Sequence, residues 1–205
     1  MKIKRLILLA FMISGMTALI YEVVWARPLQ LIFGSTIYAV STILTTFFIG
    51  FAFGSYIFRN LADNAKEPAK MFALLELGIG LYGFIILGLF RILPSFYLYF
   101  EQMPGLQFIK FFIIFLVIII PATLFGATWP VVNKAYISSD RLGKDAGKLY
   151  SFNSFGAFAG SLAAGFILIP FLGISATSLL VASTNLLIAI VIFTYSGKKE
   201  VKNES

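Results

Sequence analysis

Two carboxylates, Glu22 and Glu76, lie inside otherwise uncharged apolar stretches of this 205-residue chain. With Asn153, Tyr38 and the run Thr128-Trp129-Pro130, they are the residues whose types and spacing could do chemistry. A polar or ionisable side chain in an apolar segment is expensive in lipid and faces protein or water, so such a carboxylate is a candidate to bind a cation or carry a proton. The other reading is structural, a carboxylate bonding a neighbouring helix or a loop arginine. For Asn153 the structural reading is a helix-to-helix hydrogen bond. The chain holds no Cys and no His, which excludes a thiol nucleophile, a disulfide framework, a His-based triad and ordinary zinc sites. No catalytic residue, metal or cofactor is expected.

These residues need elements to hold them, and composition says which. The chain is 60% hydrophobic and 12% charged, against about 25% charged in soluble domains. That predicts an all-α integral membrane protein. A spanning helix takes about 20 mostly apolar residues. The charges divide the chain into spans at 6–26, 35–58, 71–93, 108–132, 149–170 and 175–196, the last two separated by Pro170-Phe171-Leu172-Gly173 inside one uncharged run. Residues 1–197 then form a single domain, a six-helix bundle, and 198–205 a basic tail. The basic start resembles a signal peptide, but apolar sequence runs on through Trp25 and predicts a span instead.

Thirteen of the 16 Lys and Arg residues fall on alternate loops beginning with the N-terminus; Arg27, Arg91 and Lys110 fall on the opposite ones. Positive charge stays on the cytoplasmic side, so both termini are expected there, in the plasma (cytoplasmic) membrane. In this frame Glu22 lies near the outer surface with Arg27 and Tyr38, where an interface salt bridge would form. Glu76 lies six residues past Lys70, about one and a half turns inside the opposite boundary. Asn153 and Thr128-Trp129-Pro130 are at comparable depth, which predicts a polar cluster at the basic end. The loop around 93–107, dense in aromatic rings, predicts a short interfacial helix before Pro104-Gly105 or an irregular aromatic loop.

Small residues point to packing. Gly156, Gly160 and Ala164 recur every four residues on the fifth span, and Gly50 and Gly54 on the second, so other backbones can approach closely there, with a dimer face as one use. Pro121 predicts a kink in the fourth span.

Several local patterns together resemble a family. Ser14-Gly15, the stretch from Ala18 through Tyr21-Glu22 to Trp25-Ala26-Arg27, Phe33-Gly34-Ser35-Thr36, Leu74-Leu75-Glu76-Leu77-Gly78, Gly126-Ala127-Thr128-Trp129-Pro130 and Gly147-Lys148-Leu149-Tyr150-Ser151-Phe152-Asn153 look, in this order, like the membrane domain of membrane-bound spermidine synthase-like proteins. The resemblance covers roughly residues 10–195. It implies a fold similar to one six-helix half of a major facilitator transporter. In that family a cytoplasmic aminopropyltransferase domain usually follows; here the residues after the sixth span leave no room for one, so synthase activity is not expected. The loop between the second and third spans keeps Asp63 of the transporter pattern, with Arg59 in place of its glycine.

Two functions follow. In the first, the chain is a non-catalytic module anchoring a separate cytoplasmic polyamine synthase or methyltransferase-like enzyme through loops 59–70 and 133–148, with Arg141, Lys144 and Lys148 as docking residues; the bland account of those cations is ordinary positive-inside charge touching anionic lipid. In the second, it is a half-size homodimeric transporter or substrate-access module for a small cation such as a polyamine, with Glu22, Glu76, Asn153 and Tyr38 as binding candidates. Neither calls for nucleic acid, because the basic residues lie in short clusters between apolar stretches.

Overall fold

Glycines supply the left-handed backbone at three turns of this chain, Gly34, Gly105 and Gly173. The computed structural model describes residues 2–98 and 105–203, with side chains described for 3–92 and 105–196. Helix α1 spans Lys2–Phe33, α2 Thr36–Asp63, α3 Pro68–Leu98, α4 Leu106–Tyr136, α5 Leu142–Ala163 and α6 Ile169–Asn203, with a single 3-10 turn at Ser139–Arg141 and a π turn at Ala164–Leu168 between α5 and α6. No strand occurs among the described residues. Gly34 closes α1 with φ 66°, and Gly173 carries φ 77°, ψ 173° within α6. Both sit in the left-handed half of conformational space that a Cβ disfavours.

Five helical stretches are long and apolar enough to cross a bilayer: Ile3–Phe33, Thr36–Asp63, Pro68–Ile92, Leu106–Tyr136 and Ser139–Ser196. The chain is thus a multi-pass membrane protein by length and composition. The helices outrun the spans expected from the charges. Helix α1 passes through Pro28 to Phe33 rather than stopping near residue 26, because a span boundary set by charge does not oblige a helix to end. Pro170 does not end a helix either; the backbone leaves helical geometry only three residues later, at Gly173. The aromatic segment expected to form an interfacial helix is partly helical, since α3 reaches Leu98, while residues 99–104 lie outside the described residues. The side chains of Lys198, Lys199 and Lys202 lie outside them too.

Helix α1 is central and touches all the others. Its register against its neighbours is set by glycines. A Cβ at Gly156 of α5 would strike the Met12 carbonyl of α1, and one at Gly160 the Met16 carbonyl. On α2, Gly50 lies against Ala122 of α4 and Gly54 against the Thr123 carbonyl, while Gly126 of α4 lies against the Phe51 backbone. Ala164 is fully buried. The small-residue stripes are therefore occupied within the chain, α5 on α1 and α2 on α4, by close backbone approach. Helix α6 instead lies on α3 and α1, with Leu186 against Gly80 and Ala182 beside Gly83.

Helix α4 carries two internal prolines, Pro121 and Pro130, and stays continuous. Each proline lacks the N–H that would bond the carbonyl four residues earlier, Val117 and Gly126 respectively. Neighbouring helices fill both gaps: the Tyr82 hydroxyl of α3 donates to the Val117 carbonyl at 2.7 Å, and the Ser55 hydroxyl of α2 donates to the Gly126 carbonyl at 2.8 Å. Side-chain hydroxyls commonly satisfy backbone freed by proline in membrane helices, where water cannot.

Candidate functional site

Glu76 is fully buried on α3. Its two carboxyl oxygens are held separately: the Ser14 hydroxyl of α1 donates to Oε1 at 2.5 Å, and the Asn185 amide of α6 donates to Oε2 at 2.7 Å. The same Asn185 nitrogen donates to Thr17 Oγ1 at 3.0 Å, and Thr17 in turn donates to the Ser14 carbonyl at 2.8 Å. Three helices are thus tied by one network of four side chains, all of them buried. No Lys or Arg pairs with Glu76 among the described residues; its donors are neutral.

Ser14 also contributes to a second feature. It lines a partly open cavity of about 200 Å³ between α1, α2, α4 and α5, with Phe11, Gly15, Phe51, Ser55, Phe125, Thr128, Trp129 and Asn153 among its walls. Asn153 reaches it from α5, donating its amide to the Phe11 carbonyl at 3.0 Å and packing against Gly15, where a Cβ would collide with its side chain. Trp129 stands beside Phe11, ring centroids 5.8 Å apart, and meets Tyr150 edge-on. The lining is aromatic rings and neutral polar groups, with a carboxyl one side chain behind the wall. Ring faces attract cations, and a desolvated ammonium gains most from them.

The structure therefore brings Glu76 and Asn153 to opposite sides of the Ser14-Gly15 segment, together with Thr128 and Trp129. It does not bring Glu22 or Tyr38 there. Glu22 lines a separate pocket of about 390 Å³ with Arg27, Gln30, Val40 and Ile43, and the expected salt bridge between Glu22 and Arg27 does not occur among the described residues. Tyr38 lines a third pocket, about 310 Å³, with Phe33, Ser41, Thr45, Gln107 and Phe111. The Tyr21 hydroxyl and Trp25 Nε1 of α1 are buried without hydrogen-bond partners among the described residues.

The docking candidates lie apart from the cavity. Arg141, Lys144 and Lys148 are exposed around the start of α5, Arg141 at 3.4 Å from Asp140 and Lys148 over the Phe152 ring. The base of that loop is fastened: Lys4 donates to Ser138 Oγ at 2.6 Å, and the Ser138 backbone N–H donates to Asp145 at 3.2 Å. Arg59 stacks over Tyr56, 3.9 Å from the ring centre.

Three members of the buried network, Ser14, Thr17 and Asn185, are absent from the candidates read from sequence. Asn185 carried the same signal as Asn153, an amide inside an uncharged span. Ser14 and Thr17 carried none, since hydroxyl side chains in spans commonly bond their own helix, as Thr46 does to the Thr42 carbonyl. Comparison with protein-family models, with curated proteins and with solved structures finds no match.

Proposed function

We propose that this chain is a six-span, non-catalytic membrane module of the spermidine synthase-like kind, whose bundle binds a small organic cation such as a polyamine for transport or substrate access. The observation that carries it is the aromatic-walled cavity backed, through Ser14, by the buried Glu76 carboxyl. A polyamine offers ammonium groups for the rings of Phe11 and Trp129 and a methylene chain for the apolar walls. Six crossings are supported by register: residues rise together along α5 and α1 (Gly156 on Met12, Gly160 on Met16) but run oppositely along α6 and α1, where Asn185 meets Thr17 and Ala182 lies beside Tyr21. A reversal of the chain at Gly173 accounts for both. Transporters place substrate between two such halves, so a second copy would complete the path. The alternate-loop cations favour termini on the cytoplasmic side of the plasma membrane.

The test is binding of radiolabelled spermidine to the full chain in phosphatidylcholine vesicles, against an uncharged diol of matching length. Spermidine binds and the diol does not, and Trp129→Ala weakens spermidine about tenfold or more, the loss of one desolvated cation–π contact. Equal retention of both compounds, or an unchanged affinity in Trp129→Ala, refutes the cation site.

A second reading, anchorage of a cytoplasmic enzyme, is favoured by the fastened loop that presents Arg141, Lys144 and Lys148. Reversing those three charges then releases a co-purifying enzyme and leaves spermidine binding intact; retention of that enzyme rejects docking at this loop.

A further inference from the structure

Each hydrogen bond in the Glu76 network has a fixed direction except one. The Asn185 amide nitrogen can only donate, and its two hydrogens are used on Glu76 Oε2 and Thr17 Oγ1. Thr17 must donate to the Ser14 carbonyl, which can only accept. Between Ser14 Oγ and Glu76 Oε1, 2.5 Å apart, both partners can donate or accept, because a hydroxyl and a carboxyl each do so. Of the two partners, Ser14 lines the cavity and Glu76 does not.

We propose that Glu76 exchanges a proton with water in the cavity through the Ser14 hydroxyl, with Oε1 as the protonated atom. In the uptake direction a hydronium ion in the cavity gives its proton to Ser14 Oγ while the Ser14 hydrogen passes to Oε1. Water, an intact serine and a neutral carboxylic acid are left, and no bond other than O–H bonds changes. In release the same bonds reverse. The cavity can hold the water: its 200 Å³ far exceeds the roughly 10–15 Å³ that one water needs, and Ser14, Ser55, Thr128 and Asn153 supply polar wall. Spacing selects a proton over a metal ion. The Ser14 oxygen and the Asn185 nitrogen stand 2.5 and 2.7 Å from the Glu76 carboxyl, hydrogen-bond distances that leave no place for a cation between them. Asn185 keeps Oε2 fixed throughout, which makes it and Thr17 positioning residues. The other titratable group near Glu76 is Tyr21 of α1, whose hydroxyl lies against Gly83 of α3. The faces of α6 and α4 packed on α3 present Ala182, Asn185, Leu186 and Leu124, none of them titratable.

The experiment is infrared difference spectroscopy on the full chain in phosphatidylcholine vesicles after a pH jump, following the carboxylic acid carbonyl band. A titrating band is present in the wild-type protein and missing in Glu76→Gln. Ser14→Ala keeps the band and slows its appearance about a hundredfold, the usual contribution of one positioned proton relay, and Ser14→Thr restores the rate. A purely structural Ser14 would leave the rate unchanged in Ser14→Ala, and that result overturns the relay. A band that persists in Glu76→Gln, or one that follows sodium concentration instead of pH, overturns the proton site. The proposal uses the same cavity as the organic-cation reading but stands apart from it: a failed spermidine titration beside a titrating Glu76 rejects only the latter.

Discussion

Replacing Tyr82 with Phe removes one oxygen and nothing else from the α3–α4 interface, so its cost measures what a proline-freed carbonyl needs. The Tyr82 hydroxyl is the donor that Val117 receives in place of the missing N–H of Pro121. Hydrogen bonds between membrane helices average about 0.6 kcal/mol and reach about 1.7. A carbonyl left without any partner costs about 1–3 kcal/mol. Since no backbone donor replaces Tyr82, Tyr82→Phe should sit near the upper membrane figure, about 1.5 kcal/mol. In a Pro121→Ala background the N–H returns, the Val117 carbonyl is satisfied within its own helix, and Tyr82→Phe should cost about 0.5 kcal/mol or less. The coupling energy is then about 1 kcal/mol, above the 0.3–0.5 kcal/mol within which independent changes add. Reversible unfolding of the four proteins in mixed micelles measures it. Additive costs for Tyr82→Phe and Pro121→Ala would refute the argument that the hydroxyl substitutes for the proline's missing donor.

Gly54→Val drives a side chain into the Thr123 backbone and should destabilise by about 2–4 kcal/mol, while Gly147→Ala, with open space around it, should stay within about 0.5 kcal/mol; the same unfolding assay separates them. Gly173→Ala forces a Cβ into a left-handed backbone and should cost about 1–3 kcal/mol, whereas a neutral result would mean that the backbone reverses elsewhere.

Membrane character and the helical class were legible because charge is scarce and its gaps have bilayer length. Helix ends were not, because lipid boundaries and helix boundaries are separate constraints: α1 continues through Pro28, and Pro170 lies within the helical run. Pro121 was legible as a disturbance. Its remedy was not, since nothing local says that Tyr82, thirty-nine residues earlier, faces Val117. The same limit explains the site. Glu76 and Asn153 announce themselves as polar types in apolar runs, but their grouping depends on which helix lies between them. Asn185 has the same type as Asn153, an amide in an uncharged span, while Ser14 and Thr17 are indistinguishable in sequence from hydroxyls that bond their own helix.

Helix α1 decides how these pieces can act together. Ser14 bonds Glu76 on one side and forms the cavity wall on the other, and the adjacent Gly15 has no side chain because Asn153 occupies that space. The close contacts of Gly156 with Met12 and Gly160 with Met16 clamp α5 onto the same two turns. A shift of α1 against α5 must therefore move the cavity wall, and with it the one hydrogen bond in the network whose direction can reverse. A shift of α6 acts differently, because Asn185 holds Glu76 Oε2 and Thr17 together and would carry both along. On the proposed relay, proton occupancy at Glu76 and the shape of the cavity are tied through a single hydroxyl. Coupling of this kind requires no change at Glu22 or Tyr38, whose pockets share no lining residue with it.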